Sequence, residues 1–278
     1  MAITYIGQTA ATVYKASGSG QFEQTVNLPT GTTTGDLVII TVSADTNRAR
    51  IFFTKNYPVG NGCQTTPYPN YYQGGDSTNY NYRQYWTIID KDNITSLVIY
   101  CYTLLANTNY YFTTHVFRGT NGVKVSTFEN KNSSTSITNN QVTNTITLTN
   151  GCGLFVVGVR DNTSSTISSG PTDMTSCRNS TTSNTAEIFP YYQLGMSSGT
   201  TTKTITWTLN DQSGIMYALL EECNWWEVER YEKYGSELFS GGFTGVTTIV
   251  TGSDNYLNSF YPNNNYGSYA YYDFYDMA

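Results

Sequence analysis

Two stretches constrain this chain more than any others, because each is a nearly unbroken run of aliphatic and β-branched residues framed by turns. The first, Leu37-Val38-Ile39-Ile40-Thr41-Val42, follows the polar turn Pro29-Thr30-Gly31-Thr32-Thr33-Thr34-Gly35 and sits between Asp36 and Asp45. It is too short for a core helix and predicts a buried strand. The second, Leu154-Phe155-Val156-Val157-Gly158-Val159, follows Asn150-Gly151-Cys152-Gly153 and repeats the plan, Leu154 lying 117 positions after Leu37. Two buried central strands at that separation predict two facing sheets of one sandwich. A chance likeness of two ordinary strands is the other reading, since one pair of similar segments does not make a repeat.

The remainder of the chain supports an all-β fold. Strand-like segments recur at Ile3 to Val13, Gln21 to Leu28, Arg50 to Thr54, Arg83 to Ile89, Leu97 to Leu105, Tyr110 to Phe117, Val123 to Phe128, Ile137 to Leu148, Ile188 to Leu194, Thr202 to Leu209 and Gly214 to Glu221. Helical periodicity is confined to Trp225 to Tyr234. Strands without interposed helices predict an antiparallel β-sandwich of jelly-roll type, not a parallel α/β sheet. Residues 1–222 are expected to form this domain. A linker at 223–240 then leads to a Tyr/Asn-rich C-terminal arm at 241–278. Two long polar regions, Tyr57 to Tyr82 and Thr163 to Asn184, read as loops.

Composition narrows the function. Charged residues are 12% of the chain, against ~25% in ordinary globular proteins, so Thr, Asn, Ser, Gly and 25 tyrosines supply the polar surface. The net charge of −6 and the scattered 14 basic residues oppose phosphate binding, and nucleic acid is not an expected partner. No segment reaches roughly 18 consecutive apolar residues, so no membrane insertion is expected. The start, Met1-Ala2-Ile3-Thr4-Tyr5-Ile6-Gly7, lacks the basic and apolar regions of a secretion signal. Cys63, Cys101, Cys152, Cys177 and Cys223 include no close pair, which fits reduced, mostly buried thiols, with Cys63 and Cys177 in loop-like and more exposed sequence.

Chemistry is sparse. Any nucleophile–histidine or histidine–metal site would have to use the single histidine, His115, which lies in the alternating Thr113-Thr114-His115-Val116-Phe117 and reads as a packed or solvated strand residue. Phosphate loops, G-x-S-x-G and H-E-x-x-H are absent from the sequence. Paired carboxylates could serve a glycosidase, but Asp36, Asp45, Asp90, Asp92, Glu129, Asp161, Asp173 and Asp211 fall at strand ends and turns, and Glu221, Glu222, Glu227 and Glu229 read as a solvated segment. Calcium at Asp90 and Asp92 or at Asp161 lacks EF-hand spacing. No catalytic, cofactor-binding or metal residue is therefore assigned.

Recognition is the better use of this composition. Tyrosine offers a large apolar contact with only two torsions to freeze. Tyr256, Phe260, Tyr261, Tyr266, Tyr269, Tyr271, Tyr272, Phe274 and Tyr275 make the arm a candidate assembly contact, to a neighbouring subunit or to its own body. Tyr57, Tyr68, Tyr71 and Tyr72 are candidate glycan contacts, the basis of an alternative reading as a carbohydrate-binding or receptor-binding module.

Leu28-Pro29 with Thr34-Gly35-Asp36-Leu37-Val38-Ile39-Ile40, Val116-Phe117-Arg118-Gly119, Pro171-Thr172-Asp173-Met174-Thr175, Ile205-Thr206-Trp207 and Ala218-Leu219-Leu220-Glu221 together resemble jelly-roll virion structural proteins of tailed bacteriophages, of decoration, fibre or tail-appendage type. The resemblance spans roughly residues 1–222. It departs at Asp173-Met174, where related sequences carry Gly-Trp, and leaves the arm outside. It implies a non-enzymatic role on the particle exterior and assembly in the host bacterial cytoplasm. Its expected partners are other virion proteins and further copies of itself, in a homo-oligomer such as a trimer.

Overall fold

The computed structural model describes residues 2–9, 12–15, 20–44, 49–52, 63–65, 81–89, 93–103, 109–132, 140–160, 167–178, 188–209 and 213–223. These residues form strands and turns only. In order they are β1 (Thr4–Gln8), β2 (Thr12–Lys15), β3 (Gly20–Asn27), β4 (Leu37–Ala44), β5 (Ala49–Phe52), β6 (Cys63–Thr65), β7 (Asn81–Ile89), β8 (Ser96–Thr103), β9 (Asn109–Arg118), β10 (Val123–Asn132), β11 (Asn140–Val142), β12 (Ile146–Leu148), β13 (Cys152–Arg160), β14 (Ile167–Ser169), β15 (Thr175–Ser176), β16 (Ile188–Met196), β17 (Gly199–Thr201), β18 (Thr204–Trp207) and β19 (Ser213–Glu222). Every pairing is antiparallel.

The layers explain the two apolar runs. One inner sheet has the order β1-β9-β4-β7-β6, with β2 also on β9, and the other β10-β19-β13-β16-β15. Between them lies a core built from Leu37, Ile39, Trp86, Ile88 and Phe117 on one side and Phe155, Val157, Met216, Ala218 and Leu220 on the other. The far face of the first inner sheet packs Val38, Ile40, Val42, Tyr85 and Phe112 against Val26 and Leu97 of a third sheet, β3-β8-β5. The far face of the second packs Leu154, Val156, Phe189 and Leu219 against Ile205 and Trp207, with Ile146 and Leu148 completing that core. These last four residues belong to the small sheets β11-β18-β14 and β12-β17. With both faces covered, every residue of β4 and of β13 is buried. Polar alternation has no place on such a strand.

The sheets that hold β4 and β13 do face each other, as expected, but each also belongs to a sandwich of its own. The two sandwiches share one connectivity. β1 and β2 pair along a single strand, β9, so they count as one strand. The first half then places its strands 1-8-3-6-5 in the inner sheet and 2-7-4 in the outer. The second half, counting β11 with β12 and β17 with β18, repeats this order. It is the jelly-roll winding, with strand five carried over to the edge of the inner sheet.

Local detail repeats as well. The ladder of the first strand slips between Tyr5 and Gly7 opposite Phe117 and Val116, and that of β10 between Val125 and Thr127 opposite Leu220 and Leu219. Gly35 (φ 88°) and Gly151 (φ 80°) occupy the same left-handed turn, which glycine adopts without steric cost. Gly35 N–H donates to Ile89 O and Gly151 N–H to Met196 O, both at 2.7 Å. Asp36 N–H donates to Thr33 O and Cys152 N–H to Thr149 O. In the outer layers Leu28 N–H reaches Thr95 O and Thr143 N–H reaches Lys203 O, both at 2.8 Å. Turns, bulge and winding coincide, so the chain contains the same structural unit twice, and the chance-likeness reading of β4 and β13 is set aside.

The equivalence is 116 positions, not 117. Val38 pairs with Val116 on β9 and Leu154 with Leu219 on β19, and these partners bracket the bulges identically. A one-residue error in the alignment turns each side chain to the opposite face. Aligning by residue type alone matched Leu37, which faces the middle core, with Leu154, which faces an outer one.

The turn before β4 is held by an ion pair. Arg118 Nε donates to Asp36 Oδ1 at 2.7 Å and Nη2 to Oδ2 at 2.8 Å, while Nη2 also reaches Gly31 O and Thr33 Oγ1. Asp36 accepts Thr33 N–H as well. In the second unit Glu221 stands where Arg118 does and accepts from Thr149 Oγ1 at 2.7 Å. The Asp36 carboxylate is 1% exposed and the Arg118 side chain 39%, which places the pair between surface and buried cases. Arg118→Ala is expected to cost about 2 kcal/mol, read as a lower urea midpoint at unchanged slope. A loss within a few tenths would show that the backbone alone holds the turn.

Candidate functional site

Most of the residues singled out for recognition lie outside the described residues. This holds for Tyr57, Tyr68, Tyr71 and Tyr72, and for the arm residues Tyr256, Phe260, Tyr261, Tyr266, Tyr269, Tyr271, Tyr272, Phe274 and Tyr275. It holds also for the expected helix at Trp225 to Tyr234, for Glu227 and Glu229, and for Asp45, Asp90, Asp92, Asp161 and Asp211.

Four of the described carboxylates, Asp36, Glu129, Glu221 and Glu222, have structural partners. Asp36 is neutralised by Arg118. Glu129 accepts from Asn144 Nδ2 at 2.9 Å and lies beside the Tyr217 hydroxyl, which burial and that carboxylate push up to about 12. Glu221 takes Thr149, with Lys124 Nζ at 3.9 Å, and Glu222 accepts Thr120 N–H at 3.1 Å. Asp173 sits in a turn at φ 62°. Among the described residues no three His, Cys, Asp or Glu side chains gather as metal ligands would.

The densest polar chemistry lies where the two units meet. Strand alternation sends Thr41 and Ser43 of β4, Tyr82 and Gln84 of β7, and Tyr111, Thr113 and His115 of β9 into the space between the inner sheets. Ser43 pairs with both Tyr82 and Tyr111 across the ladder, and Thr41 with Gln84 and Thr113. Gln84 Nε2 donates to Thr41 Oγ1 at 3.3 Å. From the opposite unit Gly214 comes so close to the Tyr82 hydroxyl that a Cβ there would collide with it. Only glycine allows the contact.

His115 sits at the centre of this seam. The ring is fully buried, with Nδ1 3.1 Å from Tyr5 Oη. Phe155 of the second unit lies at 4.9 Å between centroids. Tyr5 in turn stacks on Tyr192 at 4.4 Å, and the Cys177 thiol lies beside its hydroxyl. Desolvation drives the imidazole down to about 3, holds Tyr5 well above the usual phenol range and pushes Cys177 up to about 12. All three are neutral at ordinary pH. His115 Nε2, Gln84 Oε1, Thr113 Oγ1 and Ser43 Oγ have no hydrogen-bond partner among the described residues, a cost that the packing on both sides must offset.

The arrangement suits joining better than turnover. A general base works near its own pKa and in reach of a substrate, whereas this imidazole is dry and held neutral far below neutral pH. Tyr5 and His115 come from the first unit, Cys177, Tyr192 and Phe155 from the second, so the cluster is a pin between them. Cys177 was expected in an exposed loop; instead it is 5% exposed, because it follows β15 and Cys177 N–H donates to Pro190 O at 3.0 Å. Cys152 and Cys177 are buried free thiols.

Two groups escaped the sequence reading. Lys203 is 5% exposed, with Nζ on Thr172 O and Gln193 Oε1. The Phe189 ring has the Arg160 and Arg178 guanidiniums 5.4 and 4.1 Å from its centroid. Neither had a signal in spacing, since their partners come from other strands.

No protein family and no curated protein matches the chain. Among solved structures, the STIV major capsid protein is 8% identical, covering 79% of this chain and 99% of its own at a TM-score of 0.20. A structure of Sulfolobus turreted icosahedral virus is 9% identical, covering 94% and 98% at a TM-score of 0.20. Superpositions this loose establish neither fold nor function for this chain. Among the described residues no helix is long and apolar enough to cross a membrane.

Proposed function

We propose that this chain is a non-enzymatic structural protein of a virus particle, acting through contacts between subunits. The observation that carries the reading is the doubled jelly roll with all three cores filled. Jelly rolls serve as capsid, lectin and cupin domains, and the cupin use needs a ligand site inside the sandwich. Here the sandwich interiors are occupied by Tyr85, Tyr110 and Phe112 in one unit and Phe189, Trp207 and Tyr191 in the other. Buried polar groups such as Asp36 and Lys203 are spent on internal contacts. A rigid double unit of low charge is a building block. A place on the particle exterior, as decoration or cement or as a fibre or tail appendage of a bacteriophage, fits the resemblance, and homo-oligomerisation fits the role. The arm at 241–278 supplies the fastening.

Deleting Gly241 to Ala278 is expected to leave the body folded and to abolish incorporation into particles, measured by co-sedimentation with the assembled virion. Undiminished incorporation would refute the fastening role. Glycan-array binding that disappears in Tyr71→Ala and Tyr72→Ala would replace the assembly reading with the carbohydrate-binding one.

A further inference from the structure

We propose that the outer edge of β10 seats residues 246–250 of the same chain, which add to the second inner sheet as one further strand. β10 is ten residues long and ends its sheet among the described strands. Half of its N–H and C=O groups therefore point away from β19. Beyond the bulge between Val125 and Thr127 the ladder runs unbroken to Asn132, and an open edge of this kind invites pairing with another chain unless it is covered or charged.

Three observations select the occupant. First, Cys223 N–H donates to Gly122 O at 3.1 Å, so the chain leaves the body beside the first residue of this edge. Residues 224–278 follow. Second, the middle core is unfinished there. Val125 and Phe128 pack against it but are only partly buried, with Phe128 5.6 Å from Trp86 between ring centroids. Val246-Thr247-Thr248-Ile249-Val250 consists entirely of β-branched residues, the composition that fits a pleated, half-buried surface. Its alternation sets Val246, Thr248 and Val250 on one side. Third, charge is complementary. β10 exposes Lys124, which has Glu221 at 3.9 Å, Lys131, and Glu129, which is held by Asn144, while residues 241–278 carry Asp254, Asp273 and Asp276 and no Lys or Arg.

Reach decides between the same copy and a neighbour. Residues 224–245 can extend about 70 Å at ~3.3 Å per residue, and β10 is about 33 Å long. The chain can thus run the length of the edge and return antiparallel. Tethering beside the edge gives the segment a high effective concentration that a neighbour's arm lacks in dilute solution. Seated in this way, 246–250 closes the sheet against edge-to-edge aggregation and fixes the root of the tyrosine-rich stretch, which begins at Tyr256. The proposal is independent of the particle role: the edge can be covered whether or not the arm fastens anything.

Hydrogen exchange of the full-length protein tests it. In the wild type the outward amides of β10 are expected to exchange at least ten-fold more slowly than in the double variant Val246→Asp/Val250→Asp and in Thr248→Pro. Amides of β4 and β13 are expected to exchange equally in all three, which reports that the body stays folded. Protection should be the same at low and high protein concentration, with a monomer mass by light scattering in the dilute sample. Equal exchange of β10 in wild type and variants overturns the proposal. Protection that appears only at concentrations where the protein associates overturns it too, in favour of a neighbour's strand.

Discussion

Replacing Phe155 by alanine is expected to cost about 3–5 kcal/mol of folding stability, the range for emptying a buried aromatic site. Phe155 is fully buried on β13, with its ring 4.9 Å from His115 and 5.6 Å from Phe117 across the gap between inner sheets. The backbone there is held on two sides, since Phe155 pairs with Tyr192 on β16 and with Ala218 on β19. The strand cannot move inward to fill the space, and a cavity remains. The cavity would lie between the two units, so it should also loosen their docking. Urea unfolding followed by tryptophan fluorescence and by circular dichroism is expected to show a lower midpoint, with the two probes no longer coincident. Trp86 reports the first unit and Trp207 the second. A loss under about 1 kcal/mol with coincident probes would mean that the inner sheets are not packed on one another as described, since a ring removed from solvent on this scale cannot be deleted cheaply.

How much of this was legible in the sequence depends on what stabilises each element. β4 and β13 stood out because dryness on both faces leaves no room for polar residues, and that constraint is local. Their equivalence was visible too, but its register was not. A shift of one residue changes which core a side chain joins, and no feature of Leu37 or Leu154 states which face is which. β6, β14 and β15 fell in polar stretches that read as loops. They are strands only because neighbours offer ladder partners, as Thr175 and Ser176 find on Tyr192 and Tyr191. β10 runs on through Asn130, Lys131 and Asn132, past the strand-like segment Val123 to Phe128, because β19 continues opposite them. The polar pin was half legible. His115 read as a packed or solvated strand residue, and its full burial makes it the former, but Tyr5 lies 110 positions away and Cys177 on the other unit. Such a cluster exists only once two jelly rolls are laid face to face.

That cluster predicts acid sensitivity of a definite sign. In the unfolded chain His115 takes up a proton near its ordinary value of 6.5, whereas burial holds it at about 3 in the native protein. Between those limits the unfolded state binds the extra proton, so stability falls as pH falls. It is fully present above 6.5 and declines through the window down to about 3, by up to roughly 4–5 kcal/mol from this residue alone at 1.36 kcal/mol per unit. The groups facing the imidazole cannot relieve the cost. Tyr5 and Cys177 are neutral throughout the window, their ionisation being pushed upward by burial, and Phe117 and Phe155 offer no acceptor. Carboxylates titrate in the lower half of the window as well, so the wild type must be compared with His115→Gln, which removes the proton site and keeps an amide near the Tyr5 hydroxyl. The variant is expected to be less stable at pH 7.5, yet to lose distinctly less stability between pH 6.5 and 4.5, where few carboxylates contribute. Parallel curves over that interval would show that the imidazole takes up its proton equally in both states and that the seam admits charge. In that case the two units would be held by their apolar contacts alone.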